Sequence, residues 1–241
     1  MNGILEATPA FSVMRPEKNI PHRNADHMLV AGHNVRIDTY DPPPGAHPHT
    51  VLLLHGIGGL LGDGGLMRRG AKSLAAHGCH ACVVHYFNAT GTFFATHAQV
   101  REHVAEWRAA IVEAAHHYAQ LDGEPVGILG YSLGGCLAVC AARETSDIGA
   151  VAVLCGGLPE EHSSESPAHL PPLLVLHGAK DSRVPLDRSD ALVDMGRRAG
   201  ALVESVVYPN EGHSFGASAE RDALGHAAEF FATRLEAGAE P

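Results

Sequence analysis

The sequence predicts an α/β fold: a mostly parallel central sheet with helices on both faces, an antiparallel N-terminal hairpin, and no lid domain. Two observations carry this. From Val51 onward short apolar runs alternate with segments of helical spacing, and strand–helix–strand units close as right-handed crossovers between parallel strands. The runs Val51–Leu54 and Val126–Leu129 are continuously apolar, as strands buried on both faces must be.

In chain order, residues 1–26 lack periodicity and are read as an irregular arm, and 27–241 as one domain. His27–Val30 and Val35–Tyr40 flank Gly32 and Asn34, which suits a hairpin. The proline-rich stretch from Asp41 is a linker, since proline neither donates to a ladder nor fits a helix interior. Strands are expected at Val51–Leu54, Ala81–His85, Val126–Leu129, Ala150–Leu154, Leu173–Leu176 and Leu202–Tyr208. Helices are expected at Leu66–His77, His97–Gln120, Leu133–Arg143, Ser189–Ala199 and Glu220–Leu235. Gly156 to Pro172 is too short for a cap and reads as a loop.

The chain has 241 residues and a formal net charge of -10 with histidine neutral. That charge argues against a nucleic-acid or anionic-membrane partner. No stretch reaches the roughly 18 apolar residues that a spanning helix needs, and no leader pattern opens the chain. The five cysteines form an odd set in a core-forming domain rather than a disulfide framework. Cys79-x-x-Cys82 enters a buried strand with no second such pair, so both read as core thiols. Cys136 and Cys140, one helical turn apart, are expected to pack inward. A cytoplasmic monomer or small homo-oligomer is the expectation, with neither metal nor cofactor.

Active sites of open α/β sheets sit at the carboxyl ends of strands. Three features fall there. Gly130-Tyr131-Ser132-Leu133-Gly134 follows one apolar strand and opens a helix. With 27 glycines in the chain, the bare Gly-x-Ser-x-Gly pattern is weak; the strand before it and the helix after it give it meaning as a tight turn that presents a nucleophilic serine. His177-Gly178-Ala179-Lys180-Asp181 ends another strand, and there Asp181 can orient and charge-stabilise an imidazole. Asp187 and Asp190 compete for that role but read as the start of the next helix. Glu211-Gly212-His213-Ser214-Phe215 follows the last strand, and His213 can act as base and then acid. His213 stands out among 18 histidines by completing the order Ser, Asp, His. Leu54-His55-Gly56-Ile57-Gly58-Gly59 supplies a close-approach turn, with the N–H groups of Ile57 and Leu133 as oxyanion donors. That glycine stretch lacks the dinucleotide fingerprint and a Gly-Lys-Ser/Thr ending, which argues against nucleotide binding.

Together HGIGG, the strand ending in HYFNATG, GYSLGGCLA, HGAKDSRVP and EGHSF resemble the dienelactone hydrolase family of the α/β-hydrolase superfamily, over about Val51 to Leu235. The resemblance implies a compact, lidless α/β-hydrolase fold with a triad at Ser132, Asp181 and His213, and oxyanion donors at Ile57 and Leu133. It also implies that Tyr86 stands near the active site. Three departures bear on the substrate. Serine replaces the family's cysteine nucleophile. Gly56 stands where the family has a glutamate. The family's substrate-carboxylate arginines would fall at about Asn88 and Ala217, and neither basic group is evident there. The expected substrate is therefore a small or medium neutral ester or lactone. A thioesterase, amidase or acyltransferase would use the same machinery, and an inactive relative would serve as a binding module.

Phe87, Phe93 and Phe94 follow the strand ending at His85 and, with Tyr86 and Leu158, are candidates to wall an apolar acyl pocket, with packing of that loop onto the core as the equal alternative. His47-x-His49 has metal-ligand spacing but no visible third ligand, and His116-His117 reads as helix surface.

Overall fold

A computed structural model describes residues 23–30, 32–44, 49–158 and 169–236. Eight strands form one sheet: β1 (Arg23–Val30), β2 (His33–Tyr40), β3 (Thr50–Leu54), β4 (His80–Val84), β5 (Val126–Tyr131), β6 (Ile148–Leu154), β7 (Leu173–Gly178) and β8 (Val203–Tyr208). Their spatial order is β1-β2-β4-β3-β5-β6-β7-β8. The hairpin β1–β2 is antiparallel, as is β2 to β4, and every later pairing is parallel.

Five helices cover the sheet: α1 (Gly59–Ala76), α2 (His97–Asp122), α3 (Leu133–Ala142), α4 (Leu186–Arg198) and α5 (Ala217–Glu236). Because strand side chains alternate, the continuous runs feed two cores. Leu52, Leu54 and Ile128 join Trp107 and Ile111 of α2, Leu137 of α3 and Leu192 of α4 on one face. Val51, Leu53 and Leu129 join Met67 and Leu74 of α1 and Phe231 of α5 on the other. A capping box starts α2: Thr96 Oγ1 accepts the Gln99 N–H, and Gln99 Oε1 accepts the Thr96 N–H.

Three boundaries differ from expectation. β1 begins at Arg23, inside the stretch read as an irregular arm; Arg23-Asn24-Ala25-Asp26 carries no apolar alternation, and its pairing with Asp38–Tyr40 and Ile37 is a backbone matter. The rest of that arm, 1–22, lies outside the described residues. Helix α1 begins seven residues before the expected Leu66, despite glycines at 59, 62, 64 and 65. Packing of Leu60 and Leu66 onto the α1–α5 core outweighs the low helix propensity of glycine. Between β4 and α2 a 3₁₀ helix, Tyr86–Thr90, takes the place of plain loop.

The thiols of Cys79, Cys82 and Cys155 are buried, and burial pushes Cys79 up to about 11 and Cys155 up to about 12. They are protonated packing groups at neutral pH. Cys136 and Cys140 are half-buried rather than fully inward. His47 lies outside the described residues; His49 Nδ1 stands 2.9 Å from Glu124 Oε2. His116 and His117 are exposed on α2.

Candidate active site

Ser132 is the single residue between β5 and α3, with φ 53° and ψ -117°. Among the described residues only Cys155 shares a positive φ without being glycine, and such strain persists where the surroundings enforce it. Here they do. A Cβ on Gly130 would fall 2.4 Å from Gly134 O, and one on Gly134 would fall 2.4 Å from Leu54 O and 2.6 Å from His55 O. Glycine at both positions lets β5, α3 and the end of β3 close on one another and lift Ser132 above the sheet.

Ser132 Oγ is 3.0 Å from His213 Nε2, and His213 Nδ1 is 2.7 Å from Asp181 Oδ2. The remaining carboxylate oxygen of Asp181 accepts the N–H groups of Arg183 and Val184, both at 2.9 Å. Burial pushes the Asp181 carboxyl up. The Val184 N–H, the His213 bond and the Arg183 N–H outweigh that and hold it below the ordinary carboxylate value. An ionised Asp181 accepts from Nδ1–H and leaves Nε2 as the acceptor facing the serine, an arrangement able to withdraw a hydroxyl proton.

The loop after β8 is itself braced. Tyr131 donates its O–H to the His213 carbonyl at 3.2 Å, and burial pushes that phenol up to about 12, so it stays a donor. The Glu211 carboxylate accepts the Gly216 N–H at 2.7 Å and closes the turn.

A cavity of about 710 Å³ opens over Ser132 and His213. Ile57, Leu133 and Leu158 line it, with Val100, Val184 and Pro185 extending the apolar wall. Leu133 opens α3, where the first N–H groups have no intrahelical acceptor. Ser132, Asp181, His213, Ile57, Leu133 and Leu158 thus converge, while four expected wall residues do not. Tyr86 is fully buried, stacked on His55 at 4.2 Å and donating to the His55 carbonyl at 2.7 Å. Phe87 is buried against Trp107 at 4.2 Å. The 3₁₀ helix turns both rings down onto α2, so they brace the turn from below instead of facing substrate. Phe93 and Phe94 are 70 % and 62 % exposed and lie outside the cavity lining.

Sequence reasoning missed His97, Arg183 and Arg188, which also line the cavity. The signal for Arg183 was present in its adjacency to Asp181 within DSRVP. It also missed Asp63, whose carboxyl stands against the turn at Gly56–Gly58 and which lines a second cavity with His213.

The sequence pattern of the dienelactone hydrolase family matches residues 68–235. The chain belongs to the dienelactone hydrolase family. A Salmonella typhimurium protein provisionally assigned as a carboxymethylenebutenolidase is 29 % identical over 124 residues, 48 % of this chain and 43 % of that protein. The match therefore spans less than half of that relative's length. A dienelactone hydrolase structure from Anabaena variabilis superposes with TM-score 0.71 at 22 % identity, covering 90 % of this chain and 99 % of the other. A thermostable esterase from Pseudomonas putida superposes with TM-score 0.74 at 18 % identity, covering 92 % and 85 %. These likenesses show the α/β-hydrolase fold. Among the described residues no helix is long and apolar enough to cross a membrane.

Proposed function

We propose that this chain is a carboxylic-ester hydrolase that cleaves small or medium esters or lactones through an acyl-enzyme on Ser132. The observation that supports it most is the hydrogen-bonded chain Ser132–His213–Asp181, with spacings of 3.0 and 2.7 Å, built on a strained glycine-clasped turn. Ser132 Oγ attacks the carbonyl carbon while His213 Nε2 takes the hydroxyl proton. The N–H groups of Ile57 and Leu133 hold the oxyanion. The bond to the alcohol oxygen then breaks, and His213 delivers its proton to that oxygen. Water attacks the acyl carbon in the second half-reaction, with His213 again as base, and the acid leaves with Ser132 restored. No cofactor enters this sequence.

The apolar wall of Ile57, Leu133 and Leu158 supports an acyl arm of modest size. A second reading of the substrate has its own observation. Arg183 and Arg188 line the same cavity, so basic groups missing from the family's usual places approach the site from the β7–α4 segment. That supports esters carrying a carboxylate beside neutral ones. The described cysteines form no disulfide, which supports a reducing compartment such as the cytoplasm.

The test is turnover of short and medium p-nitrophenyl esters, neutral and carboxylate-bearing, by the wild type and by Ser132→Ala. Wild-type activity that collapses in the variant supports the reading, and the neutral-to-anionic ratio decides between the substrate classes. No turnover in the wild type, together with no labelling by a fluorophosphonate, rejects it in favour of a binding module.

A further inference from the structure

One carboxyl group beside the active site has no part in the relay. Asp63 lies in the second turn of α1, half-buried. Its Oδ2 is shut off from solvent and has no hydrogen bond of good geometry, although the Gly56 and Gly58 N–H groups lie close to the carboxyl. A poorly satisfied buried acceptor is costly, commonly about 1–3 kcal/mol.

The neighbouring turn is shaped around this carboxyl. A Cβ on Gly56 would stand 2.9 Å from Asp63 Oδ2 and 3.1 Å from Ser132 Cβ. A Cβ on Gly58 would stand 3.1 Å from Asp63 Oδ1. Residues 56 and 58 therefore carry no side chain where the carboxyl sits, and the carboxyl, the turn and the Cβ of Ser132 crowd one small volume. Ile57, between those glycines, carries one of the two proposed oxyanion donors.

Asp63 also stands on a definite side of the site. It lines a second cavity, of about 340 Å³, together with Tyr131 and His213. It does not line the larger cavity walled by Ile57, Ser132 and Leu133. Among the residues named here, His213 lines both. Asp63 thus shares a cavity wall with His213 while lying outside the cavity that Ile57, Ser132 and Leu133 line.

We propose that Asp63 is a positioning residue of the active site, whose carboxylate packs behind the Gly56–Gly58 turn and favours the imidazolium that forms on His213 during acylation. The proposal rests on the reading of Ser132 and His213 as nucleophile and base. The groups facing Asp63 are His213 from the β8–α5 loop, Arg183 from the β7–α4 loop, Tyr131 from β5 and Tyr86 from the 3₁₀ helix. His213 faces Asp181 and Ser132 as well. Burial pushes the Asp63 carboxyl up; the Gly56 and Gly58 N–H groups and the charges of His213 and Arg183 oppose the rise without cancelling it.

The sign of the test follows. Replacing a carboxylate near an imidazole by a neutral amide disfavours the protonated ring, so its titration midpoint falls. The deciding experiment follows the His213 imidazole by NMR across the neutral range in wild type and Asp63→Asn, with the signal identified by its absence in His213→Gln. In parallel, kcat and KM of a p-nitrophenyl ester are measured against pH. The expected result is a lower midpoint, with the acid limb of kcat/KM moving down with it. At the plateau kcat falls about five- to tenfold with KM little changed, since the lost interaction exists only as charge develops. Gly56→Ala, whose methyl group displaces the carboxyl, moves the midpoint the same way and serves if Asp63→Asn does not fold. An unmoved midpoint overturns the proposal, and so does an activity loss without any movement of the acid limb, which marks packing alone. If the wild type turns over no ester, the hydrolase reading fails while the imidazole midpoint still decides what Asp63 does.

Discussion

Two aspartates belong to the surroundings of His213, one bonded to it and one sharing a cavity wall with it, and the structure treats them oppositely. Asp181, on the β7–α4 side, has both oxygens engaged: one bonds His213, and the other accepts the Arg183 and Val184 N–H groups. Asp63, on the α1 side, keeps one oxygen sealed and without a hydrogen bond of good geometry. Hydrogen bonds hold the first carboxyl below its ordinary value; burial holds the second above it. The residue type is the same, so the difference lies in what the local backbone offers. The turn after β7 presents two well-aligned N–H groups to Asp181, while the Gly56 and Gly58 N–H groups near Asp63 do not offset its burial. One carboxylate is built for constant ionisation and fixed geometry, the other for a field at a cost in stability.

That contrast can be broken first on activity. Asp181→Asn is expected to lower kcat by about 10³–10⁴-fold, because an amide holds the wrong imidazole tautomer. Asp63→Asn is expected to lose only about tenfold. Steady-state kinetics on the two variants checks the ratio, and equal losses would remove the distinction between orienting and field effects.

Beneath the Asp63 side, the rings differ as sharply as the carboxyls. Phe87→Ala is expected to destabilise the fold by about 3–5 kcal/mol, since it empties a buried site against Trp107. Phe93→Ala, at a ring 70 % exposed, is expected to stay within about 0.5 kcal/mol and to leave the acyl-length profile unchanged. Urea unfolding and chain-length profiles of both variants check this.

His55 sharpens the comparison through pH. Burial lowers this histidine from 6.5 to about 4, against the raising effect of its bond to the Gly56 carbonyl. The folded state resists protonation where the unfolded state accepts it, so the unfolded state binds more protons between those values. Stability is therefore expected to be fully present above about 6.5 and to fall by about 3 kcal/mol as pH drops toward 4. Thermal melts across that window check the slope, and His55→Phe is expected to flatten it.

The smallest effect carries opposite signs. Asp181, lowered in the folded state, contributes stability above the ordinary carboxylate value that is lost as pH falls through its folded value. Asp63, raised, opposes folding above its folded value and ceases to do so as pH falls to the ordinary value. At neutral pH, Asp181→Asn is expected to lower Tm and Asp63→Asn to raise it slightly. Calorimetry of the two variants checks the signs.

What the sequence made legible follows the same division. Ser132 directly follows β5, Asp181 lies three residues past β7 and His213 lies on the loop after β8, so chain order and strand positions were enough to point to all three. Asp63 was hidden because Gly59-Leu60-Leu61-Gly62-Asp63-Gly64-Gly65 looks like loop by propensity, and only packing of Leu60 and Leu66 makes it helix. The choice between pocket wall and core packing for Phe87 was not legible because a 3₁₀ turn sets the direction of the segment after β4, and local pattern does not encode that rotation. Arg183 entered the cavity through the turn whose N–H groups hold Asp181, a geometry that spacing alone does not reveal.

The central claim is that Ser132 is a nucleophile activated through His213. It is tested most directly by treating the protein with a fluorophosphonate and mapping the adduct by mass spectrometry. The account predicts one adduct, on Ser132, absent from Ser132→Ala and formed at least a thousandfold more slowly in His213→Gln, in line with the loss on removing a triad member. An adduct on another residue, or labelling of Ser132 unaffected by His213→Gln, would contradict it.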